Sequence, residues 1–227
     1  MNTIANYDAV AHEYYDPDAH PTCDNFRQLS RKFIGAHLHL SKTVLEIGAG
    51  RSVVAEILEE HGRSLLGLTV QDKSREMLEY SSHWFPFLSN HFISDAHKTP
   101  CRDSFFDTIV SSLGDPYNNL ETMTEVHRIL ASGGRYLITL PDHEWAVSFR
   151  NDEQTKYAEF LTRSGEKLLV PSLTMAFDEQ VELANEAGLS LDLHQRLTLD
   201  GVRGRISPKL SRDKYVLECF VFRKHRS

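Results

Sequence analysis

No stretch of the chain approaches the roughly 20 consecutive apolar residues that cross a bilayer, so no membrane-spanning helix is expected. Cysteine is scarce. Cys23, Cys101 and Cys219 are odd in number and far apart, which argues against a disulfide framework and against a CxxC metal site. His37 and His39 have no cysteine or carboxylate partner nearby and read as surface residues, so no metal is expected. The N-terminal MNTIANYDAV has neither a basic start nor an apolar run, so a signal peptide is not expected and the chain reads as cytoplasmic. Positive charge is in deficit: 25 Lys and Arg stand against 32 Asp and Glu, a net −7. A general nucleic-acid binder needs clustered Lys and Arg, so this balance argues against one.

What is present is a globular composition, 41% hydrophobic and 25% charged over 227 residues, enough for one domain. Helical spacing of Phe26, Leu29, Phe33 and Ile34 predicts a helix over 22–40, with Thr22 as its cap. Short apolar runs at 43–47, 64–70, 91–94, 106–113 and 135–140 predict strands. Helices are predicted at 53–61, 74–84 and 119–130, the last stopped by Ser132-Gly133-Gly134. Strand–helix alternation with short connections demands parallel strands covered on both faces. A helix at 178–187 and strands at 189–199 and 215–222 follow, the last two antiparallel to each other. The expected fold is therefore α/β: a doubly wound, mostly parallel seven-stranded sheet with an antiparallel last strand, helices on both faces, and an N-terminal helical lid. Within one domain, residues 1–41 are the lid segment, 42–141 the core, 142–177 an insertion folding back near Ser164-Gly165, and 178–227 the final helix and hairpin.

The chemistry concentrates at strand ends. In VLEIGAG, residues 44–50, Gly48 and Gly50 let a ligand lie against bare backbone. Val53 stands where a dinucleotide fingerprint needs its third glycine, which argues against a nicotinamide-dependent oxidoreductase. Glu46 suits a cation better than a phosphate. Asp72, 22 residues beyond Gly50, can accept both hydroxyls of a ribose. Asp95, in SDAHKTP, can accept from an exocyclic amine. The ligand so described carries an adenine, a free ribose and a cationic amino-acid end.

At these residues the sequence resembles the class I S-adenosylmethionine-dependent methyltransferases. VLEIGAG resembles the family's first motif and DKSREML its acidic turn. DAHKTPCRDSFFDTIVSS and EVHRILASGGRYLITLPD resemble two further segments in the family's order, so the likeness covers about residues 42–141. Ser52 and Ser132 depart from the usual glycine and proline. The resemblance implies S-adenosyl-L-methionine as cofactor, with Glu46, Gly48, Ala49 and Gly50 at its methionine end. It implies Asp72 and Lys73 at the ribose, Asp95 and Ala96 along the adenine, and Ser112 nearby. AVAHEYYD looks like the segment that closes over the cofactor, which brings in Tyr14.

Methyl transfer is an in-line displacement and needs no fixed triad. Three loop segments should meet over the sulfonium: 11–26, 112–119 and 140–145. From these, His20, Asp115, Tyr117 and His143 are catalytic candidates, and Tyr15, Asn118 and Trp145 substrate-binding ones. The loop 200–214 carries five Lys and Arg against two Asp, which suggests Arg203 and Arg205 as a clamp for an anionic acceptor. The expected activity is methyl transfer to a small molecule, with neither membrane nor nucleic acid as partner. Alternatives are an amino-group or macromolecule methyltransferase, or a cofactor-binding protein without catalysis.

Overall fold

The computed structural model describes residues 3–38, 43–150 and 155–225. His39 and the end of the predicted first helix lie outside them. The strands are β1 (Thr3–Ile4), β2 (Val44–Ile47), β3 (Leu68–Asp72), β4 (Asn90–Ile93), β5 (Phe106–Ser111), β6 (Leu130–Pro141), β7 (Tyr157–Leu161), β8 (Lys167–Pro171), β9 (Leu189–Leu197) and β10 (Leu217–Lys224). The α-helices are α1 (Ala11–Tyr14), α2 (Pro21–His37), α3 (Val53–Glu60), α4 (Arg75–Glu79), α5 (Leu120–Ile129), α6 (His143–Val147) and α7 (Phe177–Glu186).

Seven strands form one sheet in the order β4-β3-β2-β5-β6-β10-β9. All neighbours from β4 to β6 are parallel, and β10 runs antiparallel to both β6 and β9. This is the doubly wound sheet with one antiparallel strand that the alternation predicts. Side chains alternate across it. In β2, Val44 joins Phe26, Leu29 and Phe33 of α2 and Val53, Val54 and Ile57 of α3 on one face. Leu45 and Ile47 join Met123 and Val126 of α5 and Ala184 of α7 on the other. Glu46 therefore points to the face that carries α3.

Local boundaries differ where side chains find other partners. Helix α2 starts at Pro21, whose missing N–H costs nothing at a first turn, and His20 caps it without a side-chain bond. Thr22 is not the cap; its hydroxyl meets Ser207 Oγ at 2.6 Å. The helix predicted over 74–84 stops after Glu79. Ser81 Oγ there accepts from Ser52 N–H (2.9 Å) and donates to the Gly50 carbonyl (2.6 Å), and a 3₁₀ turn, Ser82–Phe87, follows. Strand β6 begins at Leu130, earlier than Ser132-Gly133-Gly134 suggests, because the chain bulges between its pairings with Phe106 and Thr108.

A second, three-stranded sheet has the order β1-β8-β7. β7 and β8 are the hairpin of the 142–177 insertion, turning at Gly165 with φ +84°. β1 pairs in parallel with β8, Thr3 opposite Leu168, a strand too short for periodicity to reveal. Val10 packs with Phe160, Leu168 and Val170, so the N-terminal segment and the insertion share a small core. Together they lie over the C-terminal end of the main sheet.

Candidate active site

Between that cap and the sheet lies a cavity of about 450 Å³. Its floor is the turn after β2. Gly48 and Gly50 have φ of +62° and +44°, which an L side chain resists. Gly48 N–H donates to Gln71 Oε1 (3.1 Å), and Gly50 N–H donates to Asp72 Oδ2 (2.8 Å). A Cβ on Gly48 would stand 2.6 Å from Tyr117 Cε1, and one on Gly50 would collide with the Tyr15 hydroxyl. Both glycines are thus demanded by backbone conformation and by rings resting on bare backbone.

Glu46 lies beneath this turn, fully buried, but does not reach the cavity wall. Its Oε1 accepts from Val53 N–H (2.9 Å), and its Oε2 accepts from Val54 N–H (3.2 Å) and from the Ser52 hydroxyl. The carboxylate expected at the methionine end of the cofactor instead satisfies the first turn of α3. Burial pushes its pKa up to about 7 despite these bonds.

Asp72, at the end of β3, does line the cavity. Besides Gly50 N–H it accepts from Ser74 N–H at 2.9 Å. Burial raises its pKa to about 6, against the pull of the Ser74, Gly50 and Lys73 amides. Asp95 and Ala96 form the next stretch of wall. Lys73 Nζ pairs with Asp95 at 2.6 Å, and that hydrogen bond holds Asp95 below the usual carboxylate range.

Tyr14, Tyr15 and Tyr117 close the far side, with Leu113, Pro116 and Asn119. Tyr117 Oη donates to the Ile47 carbonyl at 2.7 Å, and Tyr15 Oη accepts from Arg51 N–H at 2.8 Å. Ser112 also lines the cavity and shares a hydroxyl bond with Ser30 at 2.7 Å. Leu113 holds φ +56°, a strained conformation for leucine at the cavity wall.

Other candidates are used elsewhere. His20 is buried, bonded to Glu13 at 3.1 Å and stacked on Phe160, because α1 and the hairpin close over it. Asp115 is buried one residue behind the wall formed by Pro116 and accepts from the Ser172 hydroxyl. Asn118 exchanges hydrogen bonds with Gln180 (2.7 and 3.2 Å), fastening α7. His143 begins α6, away from the cavity wall. Trp145 packs edge-on to Phe26 and donates to the Lys209 carbonyl at 2.9 Å. The basic loop does not overhang the mouth. Gln28 bonds the Arg203 backbone twice (2.9 and 3.0 Å), Asn25 bonds the Arg205 carbonyl (2.9 Å), and Arg205 Nη1 donates to the Asp18 carbonyl (2.8 Å), so the loop lies along α2.

Sequence reasoning passed over several wall residues. Tyr7 and Asp8 sit in the same N-terminal segment as Tyr14 and could have been taken with it. Gln71, beside Asp72, ties the glycine turn to the Ser94 carbonyl after β4. Arg27 and Arg51 come together only because α2 packs on α3, where both pair with Glu56 at 2.8 Å.

Residues 45–138 match the family model described as "Methyltransferase domain". Over that segment the chain is similar to methyltransferase domains. A search of curated proteins finds no match. Among solved structures, a chain from the complex of the Haloferax volcanii Trm112 methyltransferase activator with a methyltransferase is similar, at 16% identity and TM-score 0.72, covering 97% of this chain and 98% of that one. The Burkholderia thailandensis 1,6-didemethyltoxoflavin-N1-methyltransferase, bound to 1,6-didemethyltoxoflavin and S-adenosylhomocysteine, matches at 19% identity and TM-score 0.58, over 96% and 86% of the two chains. The CcbJ methyltransferase from Streptomyces caelestis matches at 18% and 0.59, over 89% and 90%. At these identities the likeness is one of fold. Among the described residues no helix is long and apolar enough to cross a membrane.

The loop's position along α2 sets what its two arginines should do. Arg203→Ala combined with Arg205→Ala should leave S-adenosylhomocysteine affinity within about twofold and cost no more than about 1 kcal/mol of stability, the range for exposed polar contacts. Calorimetric titration and thermal melting check both. A tenfold loss of affinity would put the loop back at the site.

Proposed function

We propose that this protein moves the methyl group of S-adenosylmethionine to a small-molecule acceptor held inside the roofed cavity. The observation that carries the reading is enclosure. The N-terminal segment and Pro171 of the insertion complete the wall of a space of about 450 Å³, within the range of small-ligand sites. A polymer substrate would ask for an open, basic groove, whereas the rim cations Arg27 and Arg51 are already paired with Glu56, and Lys73 with Asp95.

In this reading Asp72 receives the ribose hydroxyls with lone pairs left free by its amide donors. Asp95 and Ala96 border the adenine, with Lys73 steering the Asp95 carboxylate. Gly48 and Ala49 form the wall at the methionine end, which Arg27 and Arg51 also line. The reaction is displacement in line: an acceptor lone pair forms the bond to the methyl carbon while the carbon–sulfur electrons return to sulfur. Holding the two partners in line and excluding water supplies most of the rate. Of the four catalytic candidates only Tyr117 lies on the wall, so orientation carries more of the work here than proton transfer.

Titration with S-adenosylmethionine, S-adenosylhomocysteine and NAD, followed by turnover on pooled small metabolites and on bulk RNA and protein, tests the reading. Methylation confined to the macromolecular pools would sink the small-molecule assignment. Asp72 adds a pH signature. Because its pKa lies near 6 in the free protein, cofactor affinity should be level above about pH 7 and fall below 6 by up to about tenfold per unit, as a proton competes for the carboxylate. Asp72→Asn should flatten that dependence; an unchanged slope would assign it to another group.

A further inference from the structure

The acceptor side of the cavity has a chemical character of its own. Tyr7, Tyr14, Tyr15 and Tyr117 all line it. Tyr7 and Tyr14 meet edge to face, centroids 5.8 Å apart at 67°, and Tyr14 and Tyr15 do the same at 5.1 Å and 83°. Their hydroxyls are turned to protein. Tyr7 Oη donates to the Pro171 carbonyl (3.3 Å), Tyr117 Oη to the Ile47 carbonyl (2.7 Å), and Tyr15 Oη accepts from Arg51 N–H (2.8 Å). What remains for a ligand is ring surface on mutually crossed planes. Such surfaces attract cations through the negative faces of the rings.

Behind these rings lies a carboxylate with no direct ion pair, reached by Arg150 only through the Ser172 hydroxyl. Asp115 is buried, and its charge is felt by Tyr7, Tyr14 and Tyr117 alike. Arg150 stands within electrostatic range but does not pair with it. Its Nη1 serves the Thr155 and Ser172 carbonyls (2.8 and 2.9 Å) and its Nη2 the Ser172 hydroxyl (2.7 Å). Among the described residues no cation lies within ion-pair distance of Asp115. That compensation is indirect, and a cation in the cavity would offset more of the cost of burying the charge. The positive side chains on the wall, Arg27, Arg51 and Lys73, already have carboxylate partners, and Arg27 also lies over the Tyr15 ring at 5.8 Å, which leaves the faces of Tyr7, Tyr14 and Tyr117 for a ligand cation.

We infer that the acceptor is an amine, held by the tyrosine walls with Asp115 as the counter-charge behind them. The inference rests on the methyltransferase reading of the same cavity. Charge conservation supports it. An amine that enters as its ammonium first gives its proton to water, the neutral nitrogen then attacks the methyl carbon, the carbon–sulfur bond breaks with its electron pair going to sulfur, and the nitrogen emerges as a methylammonium. The positive charge moves from sulfur to nitrogen without leaving the box, so the same rings and carboxylate serve reactant, transition state and product. An oxyanion acceptor would meet a negative field on entry and cancel the cation the box favours.

The test uses the full chain saturated with S-adenosylhomocysteine, titrated with three probes of similar shape: tetramethylammonium, neopentyl alcohol and pivalate. Tetramethylammonium should bind at least about tenfold more tightly than neopentyl alcohol, with pivalate weakest. Asp115→Asn should remove most of the cation's advantage while leaving neopentyl alcohol and S-adenosylhomocysteine unaffected, a split that a merely structural role for Asp115 would not produce. If that variant fails to fold, the ranking of the three probes on the unaltered protein still decides. Equal binding of cation and alcohol, tighter binding of pivalate, or no binding of the cation overturns the inference. Failure of S-adenosylhomocysteine itself to bind would instead bring down the cofactor assignment, and the acceptor inference with it.

Discussion

Asp72→Ala is expected to weaken S-adenosylhomocysteine binding by about 1.5–3 kcal/mol, the worth of hydrogen bonds to a charged group, and to lower the melting temperature as well. The second effect comes from the carboxylate's other duties. It is the acceptor for Gly50 N–H and for Ser74 N–H, so truncation orphans two donors and loosens the turn that keeps Gly50 at φ +44°. A strand-end carboxylate without these backbone bonds would cost affinity without costing stability. Asp72→Asn separates the two. Its amide presents one oxygen and one NH₂, so one backbone donor keeps an acceptor while the other faces a donor, and both losses should be intermediate. Titration calorimetry and thermal melting on the two variants make the comparison. Unchanged affinity in the alanine variant would mean that the ribose lies elsewhere.

The sheet was legible because its signals are local and repeated. Each parallel strand is a short apolar run, each crossover helix shows 3.6-residue spacing, and the glycines and Asp72 sit at strand ends, where such sheets place ligands. The cap was not legible, for a physical reason. β1 is two residues long, and its partner β8 lies some 165 residues away. The basic loop settles on α2 through Asn25 and Gln28, polar contacts spanning 175 to 182 residues of sequence, and no charge count reveals them. Asn118 and His20 read as loop-borne functional groups because their partners, Gln180 and Glu13, are identified only by packing. Tyr7, by contrast, belonged to a segment already recognised, and an aromatic seven residues before Tyr14 could have been included.

Glu46→Ala should cost about 3 kcal/mol or more of stability, since it leaves Val53 N–H, Val54 N–H and the Ser52 hydroxyl without their buried acceptor. The residue shows how one side chain serves the fold beneath a site it does not line. Strand alternation puts it on the α3 face, and the chain reverses over Gly48 and Gly50, so the start of α3 arrives directly at its carboxylate. The helix N-terminus then finds a negative charge where four amides lack helical partners. That charge is nonetheless buried, and burial lifts its pKa from 4.5 in the unfolded chain to about 7. The folded protein therefore holds more protons than the unfolded one between these values, and Glu46 makes stability fall as pH rises from 4.5 to 7. Glu46→Gln cannot ionise, so it should reduce this slope while destabilising less than alanine, because its carbonyl oxygen still caps one amide and Ser52 can accept from its NH₂. Melting curves for the three proteins across that pH range decide the point. An alanine variant as stable as the unaltered chain would show that water caps α3 equally well, and the acidic residue of the glycine turn would then have to be explained by the ligand instead.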